Sequence, residues 1–306
     1  MNISKKTGEW KKDFIKYKYL YLMAVPMVVY YILFNYIPMY GAIIAFKHFS
    51  PALGTWKSPW AGTFYFKMFF NDVYFTRVLK NTILIGLKDL LFCFPAPIIL
   101  ALMINEVRRN WFKKIVQTIS YVPHFISMMV IAGLIIDFTA RDGIINDLLA
   151  LLGVERKTML LEPGLFQPIY IISEIWQTIG WGSIVYLGAL TAVDPQLYEA
   201  ASIDGTGRFG KIIHVTIPGI LPTVIIMLIL RIGSIMNVGY EKVILLYNPT
   251  VYETSDVISS YAYRKGLQDM NYSYSATVSL FNSVVNFILV IGANAISRKV
   301  GETSLW

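Results

Sequence analysis

The sequence predicts an all-α membrane protein with six transmembrane helices, and two observations carry this prediction. Hydrophobic residues occupy 56% of the 306 positions and charged residues only 15%, whereas soluble domains carry about a quarter charged residues. Lipid is therefore expected to replace water around much of the surface. Runs of about 20 apolar residues can cross a bilayer as helices. Six such runs are present, at 19–46, 82–105, 116–138, 167–192, 218–240 and 277–297.

The first run follows a lysine-rich tail at residues 1–18. It is longer than the apolar core of a secretory signal and lacks a small-x-small cleavage site, so it is predicted to remain as a membrane anchor. Together with the aromatic-rich connection behind it, this run forms a first unit at 19–76. The other five runs form a predicted five-helix core at 77–297, and residues 298–306 form a C-terminal tail.

The distribution of lysine and arginine predicts the orientation. Cytoplasmic loops of membrane proteins carry an excess of these residues. Both tails are basic, and so are the connections between the second and third runs and between the fourth and fifth runs. Both termini are therefore predicted to lie in the cytoplasm. The formal net charge of +8 is explained by topology, and no nucleic-acid partner is expected.

The connection between the fourth and fifth runs contains every boundary signal of a short helix. Asp194 is suited to the N-cap and Pro195 to the first helical position. Gly205 is suited to the left-handed residue that ends a helix. A helix of this length is marginal on its own in water. It is therefore expected to dock against another protein.

This connection resembles the Glu-Ala-Ala loop of bacterial ABC importer permeases. In that family the triplet, a glycine four residues after its last alanine and a later apolar-x-apolar-Pro form the contact with the ATPase subunit. The resemblance implies a cytoplasmic coupling helix at 194–205. It also implies that the Glu199 carboxylate meets a basic group of the ATPase. The implied coupling residues are Glu199, Ala200, Ala201, Asp204, Gly205, Ile217 and Pro218.

The resemblance extends over nearly the whole chain from residue 16. Residues 121–127 and 221–223 look like the carbohydrate-importer branch, and 239–249 with 302–306 resemble the narrower LplB-type permeases. This implies a type I importer permease of the MetI-like fold, multi-pass in the cell membrane of a Gram-positive bacterium. The implied partners are a second homologous permease, an ABC ATPase dimer and an extracellular solute-binding lipoprotein. The implied substrate is an oligosaccharide.

Charged residues inside the apolar runs mark a predicted substrate pathway, because charge at bilayer depth usually faces a cavity or a partner charge. Arg231 is interpreted as pairing with Glu174 or Asp137, and Lys88 as neutralising Asp89 or a neighbour. Sugars are held by aromatic faces together with amide and carboxylate groups. The candidate pathway residues in the last three runs are Glu174, Trp176, Gln177, Arg231, Asn237, Tyr240, Asn282 and Asn286.

The third of the longer connections, at 241–274, carries six tyrosines. Tyrosine is enriched at membrane–water interfaces, so these residues are interpreted as an interfacial belt. Direct contact with a ligand or a partner is the alternative.

The sequence contains no set of residues that indicates catalysis. A Walker A pattern is absent, so the chain is predicted not to be an enzyme, and ATP hydrolysis falls to a separate subunit. The three histidines have no metal-ligand spacing, so no metal is expected. The Gly-x-Gly-x-x-Gly pattern at 205–210 binds dinucleotides only within a βαβ unit, so no cofactor is expected either.

Two alternatives to an oligosaccharide importer remain open. The same permease class can import another solute, such as a peptide or a phosphate ester. A self-sufficient secondary transporter would instead use the intramembrane charges for ion coupling, but it leaves the capped helix at 194–205 unexplained. Co-purification of an ATPase and a related permease would distinguish an ATP-driven importer from a secondary transporter.

Overall fold

The computed structural model describes residues 16–300, and in that range all regular secondary structure is helical apart from one isolated bridge between Lys47 and Trp60. Most of the predicted N-terminal tail (1–18) and C-terminal tail (298–306) lies outside the described residues. Short 3-10 turns at Met159–Leu161 and Pro249–Val251 connect helices. The helices are α1 (Lys18–Phe46), α2 (Gly54–Lys57), α3 (Phe64–Phe70), α4 (Phe75–Glu106), α5 (Asn110–Phe125), α6 (Met128–Thr139), α7 (Ile144–Ala150), α8 (Pro163–Thr191), α9 (Pro195–Ile203), α10 (Arg208–Gly233), α11 (Tyr240–Leu246), α12 (Tyr252–Ser255), α13 (Ile258–Tyr263) and α14 (Tyr272–Val300).

Four of the described helices, α1, α4, α10 and α14, are both long and apolar enough to cross a membrane. Helix α8 has 29 residues, which is also long enough at a rise of about 1.5 Å per residue. Its polar side chains lower its hydropathy below that of the other four. The all-α membrane fold is therefore confirmed, whereas the count of six spans is not.

The predicted run at 116–138 is wrong as a single straight span. Helices α5 and α6 are bent by 102° relative to each other. Pro123 lies in a 3-10 turn at the end of α5, and the backbone is extended at Ile126 (ψ 137°) and Ser127 (ψ 146°). A helix cannot continue through extended residues, so the chain turns sharply although the sequence is apolar throughout.

The fifth span begins and ends earlier than the predicted run at 218–240. Helix α10 starts at Arg208, and Ser234 at its end leaves the helical region (φ −110°, ψ 8°). A Cβ atom on Gly233 would lie 2.1 Å from Val290 Cγ2. This end of α10 therefore lies directly against α14, and the residues after Ser234 form turns leading to α11.

Widened helical turns precede prolines in three of the long helices. Proline lacks an N–H group, and its ring clashes with the carbonyl four residues earlier. A π turn, which closes its hydrogen bond over five residues instead of four, relieves this conflict without ending the helix. The three turns are Ile32–Tyr36 before Pro38 in α1, Asp89–Cys93 before Pro95 in α4, and Ile212–Thr216 before Pro218 in α10.

The connection between α10 and α14 folds back into the bundle, and we call residues 240–268 the cap. Tyr261 of the cap and Tyr274 in the first turn of α14 are each only 1% exposed. The hydroxyl groups of both donate hydrogen bonds to the Asp72 carboxylate. The interpretation of an interfacial belt is therefore wrong for these two residues, which pack in the interior.

An ion-pair network centred on Asp256 fixes the cap to α4. The Asp256 side chain has no exposed surface, and it accepts hydrogen bonds from Arg264 Nη2 at 2.6 Å and Arg264 Nη1 at 3.0 Å. Arg77 of α4 approaches the same carboxylate at 3.4 Å. Burial alone lowers the pKa of Arg264, but the bonds and charge of Asp256 raise it above its ordinary value. A buried charge that is paired on two sides holds both elements in place.

The first part of α1, residues 18–39, extends from the rest of the chain, and we call it the arm. None of its residues is buried. Only the final turns of α1 pack on α14, where Ala45 is fully buried and its carbonyl accepts a hydrogen bond from Thr277 Oγ1 at 3.2 Å. The arm therefore leaves its apolar surface available for lipid or another subunit.

Candidate functional site

Helix α9 begins at a side-chain cap. Asp194 has an extended backbone, and its Oδ1 accepts a hydrogen bond from the Gln196 amide at 2.9 Å. Pro195 occupies the first helical position, where a missing N–H removes no hydrogen bond. The cap predicted from the sequence is therefore confirmed.

A Schellman motif ends α9. Gly205 has a φ of 73°, a conformation that glycine adopts without the steric penalty of a Cβ atom. Its amide donates to the Ser202 carbonyl at 3.1 Å, and the Thr206 amide donates to the Ala201 carbonyl at 2.9 Å. These two bonds satisfy carbonyl groups that the helix end would leave open. The predicted left-handed conformation of Gly205 is confirmed.

Side-chain contacts fasten α9 to the start of α10. The Tyr198 hydroxyl lies 3.1 Å from Thr216 Oγ1, and Thr216 is 1% exposed. On the next turn, Lys211 Nζ donates to Ser202 Oγ at 2.6 Å. These two contacts join α9 to α10 on one side.

The opposite side of α9 is open. No residue of α9 is buried, and Leu197 and Ile203 are 52% and 86% exposed. Phe209, just beyond the Schellman motif, is 83% exposed. Apolar side chains grouped in this way on a short, rigid helix are typical of a protein contact.

The structure places the predicted coupling residues on two helices. Glu199, Ala200 and Ala201 lie on α9, and Asp204 and Gly205 form its end. Ile217 and Pro218 lie inside α10, nine and ten residues beyond its start, directly after the π turn. Pro218 therefore continues a helix that has already begun, instead of starting it as the run at 218–240 predicts.

Two ion pairs surround a cavity of about 220 Å³ between α4, α8 and α10, which we call the charged cavity. In the first pair, Arg231 Nε donates to Asp89 Oδ2 at 2.7 Å and Arg231 Nη2 donates to Asp89 Oδ1 at 2.5 Å. This bidentate geometry joins α10 to α4. The predicted pairing of Arg231 with Glu174 or Asp137 is therefore wrong.

The second ion pair joins the cap to α8. Lys242 Nζ lies 3.1 Å from Glu174 Oε2, and the lysine side chain has no exposed surface. Its ammonium group also lies 5.1 Å from the centre of the Tyr170 ring. Glu174 remains 18% exposed and lines the charged cavity.

Lys88 has a different partner from the predicted one. Its Nζ donates to Gln167 Oε1 at 2.6 Å, whereas Asp89 is bound by Arg231. The interpretation that Lys88 and Asp89 neutralise each other is therefore wrong. Successive residues on a helix point about 100° apart, so neighbours in sequence reach different neighbours in space.

Three asparagines form a hydrogen-bonded cluster between the charged cavity and a second cavity. Asn237 Oδ1 accepts hydrogen bonds from Asn282 Nδ2 at 2.8 Å and Asn286 Nδ2 at 2.9 Å. Asn286 Oδ1 accepts from the Met236 amide at 3.1 Å. The Asn282 Oδ1 atom is buried and has no protein partner among the described residues. The sequence-predicted asparagines are thus brought together.

The second cavity has a volume of about 600 Å³, and we call it the serine groove. Ser275, Ser279 and Ser283 follow each other at four-residue spacing on one face of α14. Asn237 lines both cavities. The groove thus combines hydroxyl, amide and aromatic groups, which can bind the hydroxyl groups and ring faces of a sugar. Its aromatic lining residues are Phe49, Tyr240, Tyr263 and Tyr272.

Two predicted pathway residues lie elsewhere. Trp176 is 44% exposed and lines an apolar groove of about 840 Å³ beside α6 and α7. Gln177 is 6% exposed, and its Oε1 atom has no partner among the described residues. The structure does not bring either residue to the charged cavity or to the serine groove, so their role stays a prediction.

Sequence reasoning missed Tyr170, Lys242 and the serine face of α14. The spacing of the serines is a helical pattern that could have been recognised. Lys242 lies just beyond the run at 218–240, so the hydropathy pattern placed it in a loop. Its burial depends on how the cap folds onto α8, which the local sequence does not reveal.

Comparisons with known proteins agree on one family. The family described as "Binding-protein-dependent transport system inner membrane component" matches residues 94–302. Two relatives come from Bacillus subtilis (strain 168). "Protein LplB" is 44% identical over 298 residues, covering 97% of this chain and 94% of the relative. "Polygalacturonan/rhamnogalacturonan transport system permease protein YteP" is 43% identical over 293 residues, covering 95% and 91%.

A solved structure supports the same fold. It is the crystal structure of a bacterial ABC transporter involved in the import of the acidic polysaccharide alginate, and one of its chains superposes with a TM-score of 0.88 at 43% identity. The match covers 95% of this chain and 99% of that chain. The predicted MetI-like permease fold is thereby confirmed. The chain belongs to the family of binding-protein-dependent transport system inner membrane components, the permease subunits of ABC importers.

Proposed function

We propose that this chain is a permease subunit of an ATP-driven oligosaccharide importer in the cell membrane of a Gram-positive bacterium, with both termini in the cytoplasm. The observation that carries the ATP-driven part is α9, a capped helix with no buried residue that is fastened to a membrane span. A carrier driven by an ion gradient has no need of such a docking helix. The sugar substrate is supported by relatives named for polygalacturonan, rhamnogalacturonan and alginate transport.

Helix α9 is the proposed contact with the ATPase dimer. Leu197 and Ile203 offer apolar surface, and the exposed Glu199 carboxylate offers a partner for a basic side chain. Ala200 and Ala201 allow a close approach of the ATPase backbone, and Asp204 lies at the helix end. Closure of the ATPase dimer then moves α9 as a rigid unit.

Helix α10 carries the movement from the ATPase to the substrate pathway. The contacts of Tyr198 with Thr216 and of Ser202 with Lys211 pull on its first turns. Arg231 lies near the other end of the same helix, and Asn237 lies just beyond it. Movement of α10 therefore changes the charged cavity and the serine groove together.

The serine groove and the asparagine cluster form the proposed sugar pathway. The buried Asn282 Oδ1 atom has no protein partner among the described residues, and an unsatisfied acceptor of this kind costs about 1–3 kcal/mol. A sugar hydroxyl can supply the missing hydrogen bond. Tyr240 and Tyr263 offer ring faces for the C–H surface of a sugar.

The arm supports the proposed pairing with a second, homologous permease. Its residues are mostly apolar and all exposed, and a partner span would cover more of this surface than the chain itself does. The solute-binding lipoprotein is proposed to deliver the sugar on the side of the cap. Of the two units predicted from the sequence, residues 77–297 are proposed to form the transport core. Residues 19–76 contain the arm and the connection that follows α1.

The proposed function is tested by changing the exposed apolar surface of α9. Ile203→Asp places a charge at a site that is 86% exposed, and it is expected to abolish co-purification of the ATPase and ATP-dependent oligosaccharide uptake. Leu152→Asp is the matched control, because Leu152 lies outside α9 and is 80% exposed. This variant should still co-purify with the ATPase and take up the oligosaccharide. Normal uptake and ATPase binding by Ile203→Asp would contradict the proposal.

A further inference from the structure

One edge of the Arg231 guanidinium remains available in the charged cavity. The Asp89 carboxylate binds Nε and Nη2 of Arg231, and Nη1 has no hydrogen-bond partner among the described residues. The Arg231 side chain is 40% exposed and lines the cavity. A guanidinium group carries five N–H donors in a planar fork, so this arginine can bind a second anion without releasing Asp89.

The two acids that line the cavity are both paired. Arg231 binds Asp89, and the buried Lys242 binds Glu174. Lys88, which precedes Asp89 on α4, donates to the neutral amide of Gln167 and is not among the residues that line the cavity. An anion that enters the cavity therefore meets no carboxylate that lacks a cationic partner.

We propose that the transported oligosaccharide is anionic and that Arg231 binds one of its carboxylates during passage. This inference rests on the proposed function and specifies its substrate class. Arginine suits the task because its fork matches the two oxygens of a carboxylate and it stays charged at depth. The cavity of about 220 Å³ has room for a single sugar ring, and Asn237 connects it to the serine groove. Two relatives at 43% identity are named for polygalacturonan and for the acidic polysaccharide alginate.

The opposing carboxylates do not prevent this binding. Asp89 is engaged by Arg231 through both oxygens, and Glu174 is engaged by Lys242. A carboxylate on the Nη1 edge therefore meets two acids that are already compensated.

The test uses two probes of equal length, trigalacturonate and its fully methyl-esterified form, which lacks the negative charges. Uptake of each is measured in cells that express the complete importer and lack other uptake routes. The double variant Asp89→Asn with Arg231→Gln removes both charges of the pair, so neither is left buried alone. We expect the preference for trigalacturonate over its ester to fall at least about tenfold, the effect of losing one charge-assisted hydrogen bond.

Arg231→Lys keeps the charge but loses the planar fork, and it should retain an intermediate preference for the acid. An equal loss of both probes in the double variant would show that the pair has only a structural role, and would overturn the inference. A wild-type importer that prefers the ester would also overturn it while leaving the oligosaccharide importer intact. Failure of the wild type to import either probe, or any neutral oligosaccharide, would overturn the proposed function itself.

Discussion

Gly205 is the residue on which the end of α9 depends. Its φ of 73° is unfavourable for any residue with a Cβ atom, although no other atom lies within 4 Å of where that Cβ would be placed. We expect Gly205→Ala to destabilise the Schellman motif by about 1 kcal/mol. Because α9 then frays, ATP hydrolysis should continue while substrate uptake falls. The ratio of uptake to hydrolysis in proteoliposomes measures this uncoupling.

Gly207 provides the matched control for that change. It also has open space around its Cβ position, but its φ is −71°, which alanine adopts freely. Gly207→Ala should therefore leave the ratio of uptake to hydrolysis unchanged. If both variants are fully coupled, the left-handed conformation of Gly205 has no role in coupling.

The carboxylate of Asp72 is predicted to make an acid-sensitive contact that joins the connection between α3 and α4 to the cap and to α14. Partial burial raises the pKa of its carboxyl, but the hydrogen bonds from Tyr261, Tyr274 and the Tyr74 amide together bring it below the ordinary value. A lowered pKa in the folded state stabilises the fold above the unfolded pKa of about 4. This stabilisation is lost as the pH falls further, through the folded pKa.

The measurement is thermal unfolding of the purified protein between about pH 3 and pH 6, a range that includes the unfolded pKa of about 4. The wild type should lose part of its thermal stability below about pH 4. Asp72→Asn cannot titrate, so it should be less stable than the wild type near neutral pH and lose less on acidification. Parallel pH profiles for the two proteins would refute this account of Asp72.

At the scale of helices, each π turn changes the direction in which the side chains before it point relative to those after it. The turn Ile212–Thr216 adds one residue to α10, which rotates the part of the helix before the turn by about 100° relative to the part after it. Pro218→Ala restores the N–H group and removes the steric reason for the turn. We expect the helix to become regular, so that α9 is presented at a different angle and uptake falls while the protein remains in the membrane.

Pro222→Ala is the control within the same helix. Pro222 lies inside α10, and no π turn directly precedes it, so its replacement should not rotate α9. Uptake by Pro222→Ala should stay near the wild-type value. Equal uptake by the two variants would mean that the π turn does not set the orientation of α9.

These helices also explain which features could be predicted from the sequence. The caps of α9 were predictable because Asp194 and Gly205 act on groups within four residues of themselves. The break between α5 and α6 was not, because the run at 116–138 is apolar on both sides of it. The partners of Arg231 and Lys88 were not predictable either. Each depends on the rotation of its helix, and a π turn within α4 changes that rotation at Asp89.

Across the complete chain, long-range polar contacts fix the cap over the bundle. Asn81 Nδ2 donates to the carbonyls of Glu253 and Asp256, at 2.9 Å and 3.0 Å. Gln167 Nε2 donates to the Thr254 carbonyl at 2.9 Å. These contacts connect α4 and α8 to the cap, so the cap is fixed to the helix bundle and is not a loose loop.

The pair of Lys242 with Glu174 should be the most sensitive of these connections. Lys242 is completely buried, and removing one member of a buried pair costs about 3–5 kcal/mol because the other charge is left without a partner. We therefore expect Lys242→Met to destabilise the protein by about this amount, measured by denaturant unfolding in detergent. Adding Glu174→Gln removes the orphaned charge and should recover most of the lost stability. If the double variant is as unstable as Lys242→Met alone, the lysine acts through packing on Tyr170, and the ion pair is not what holds the cap to α8.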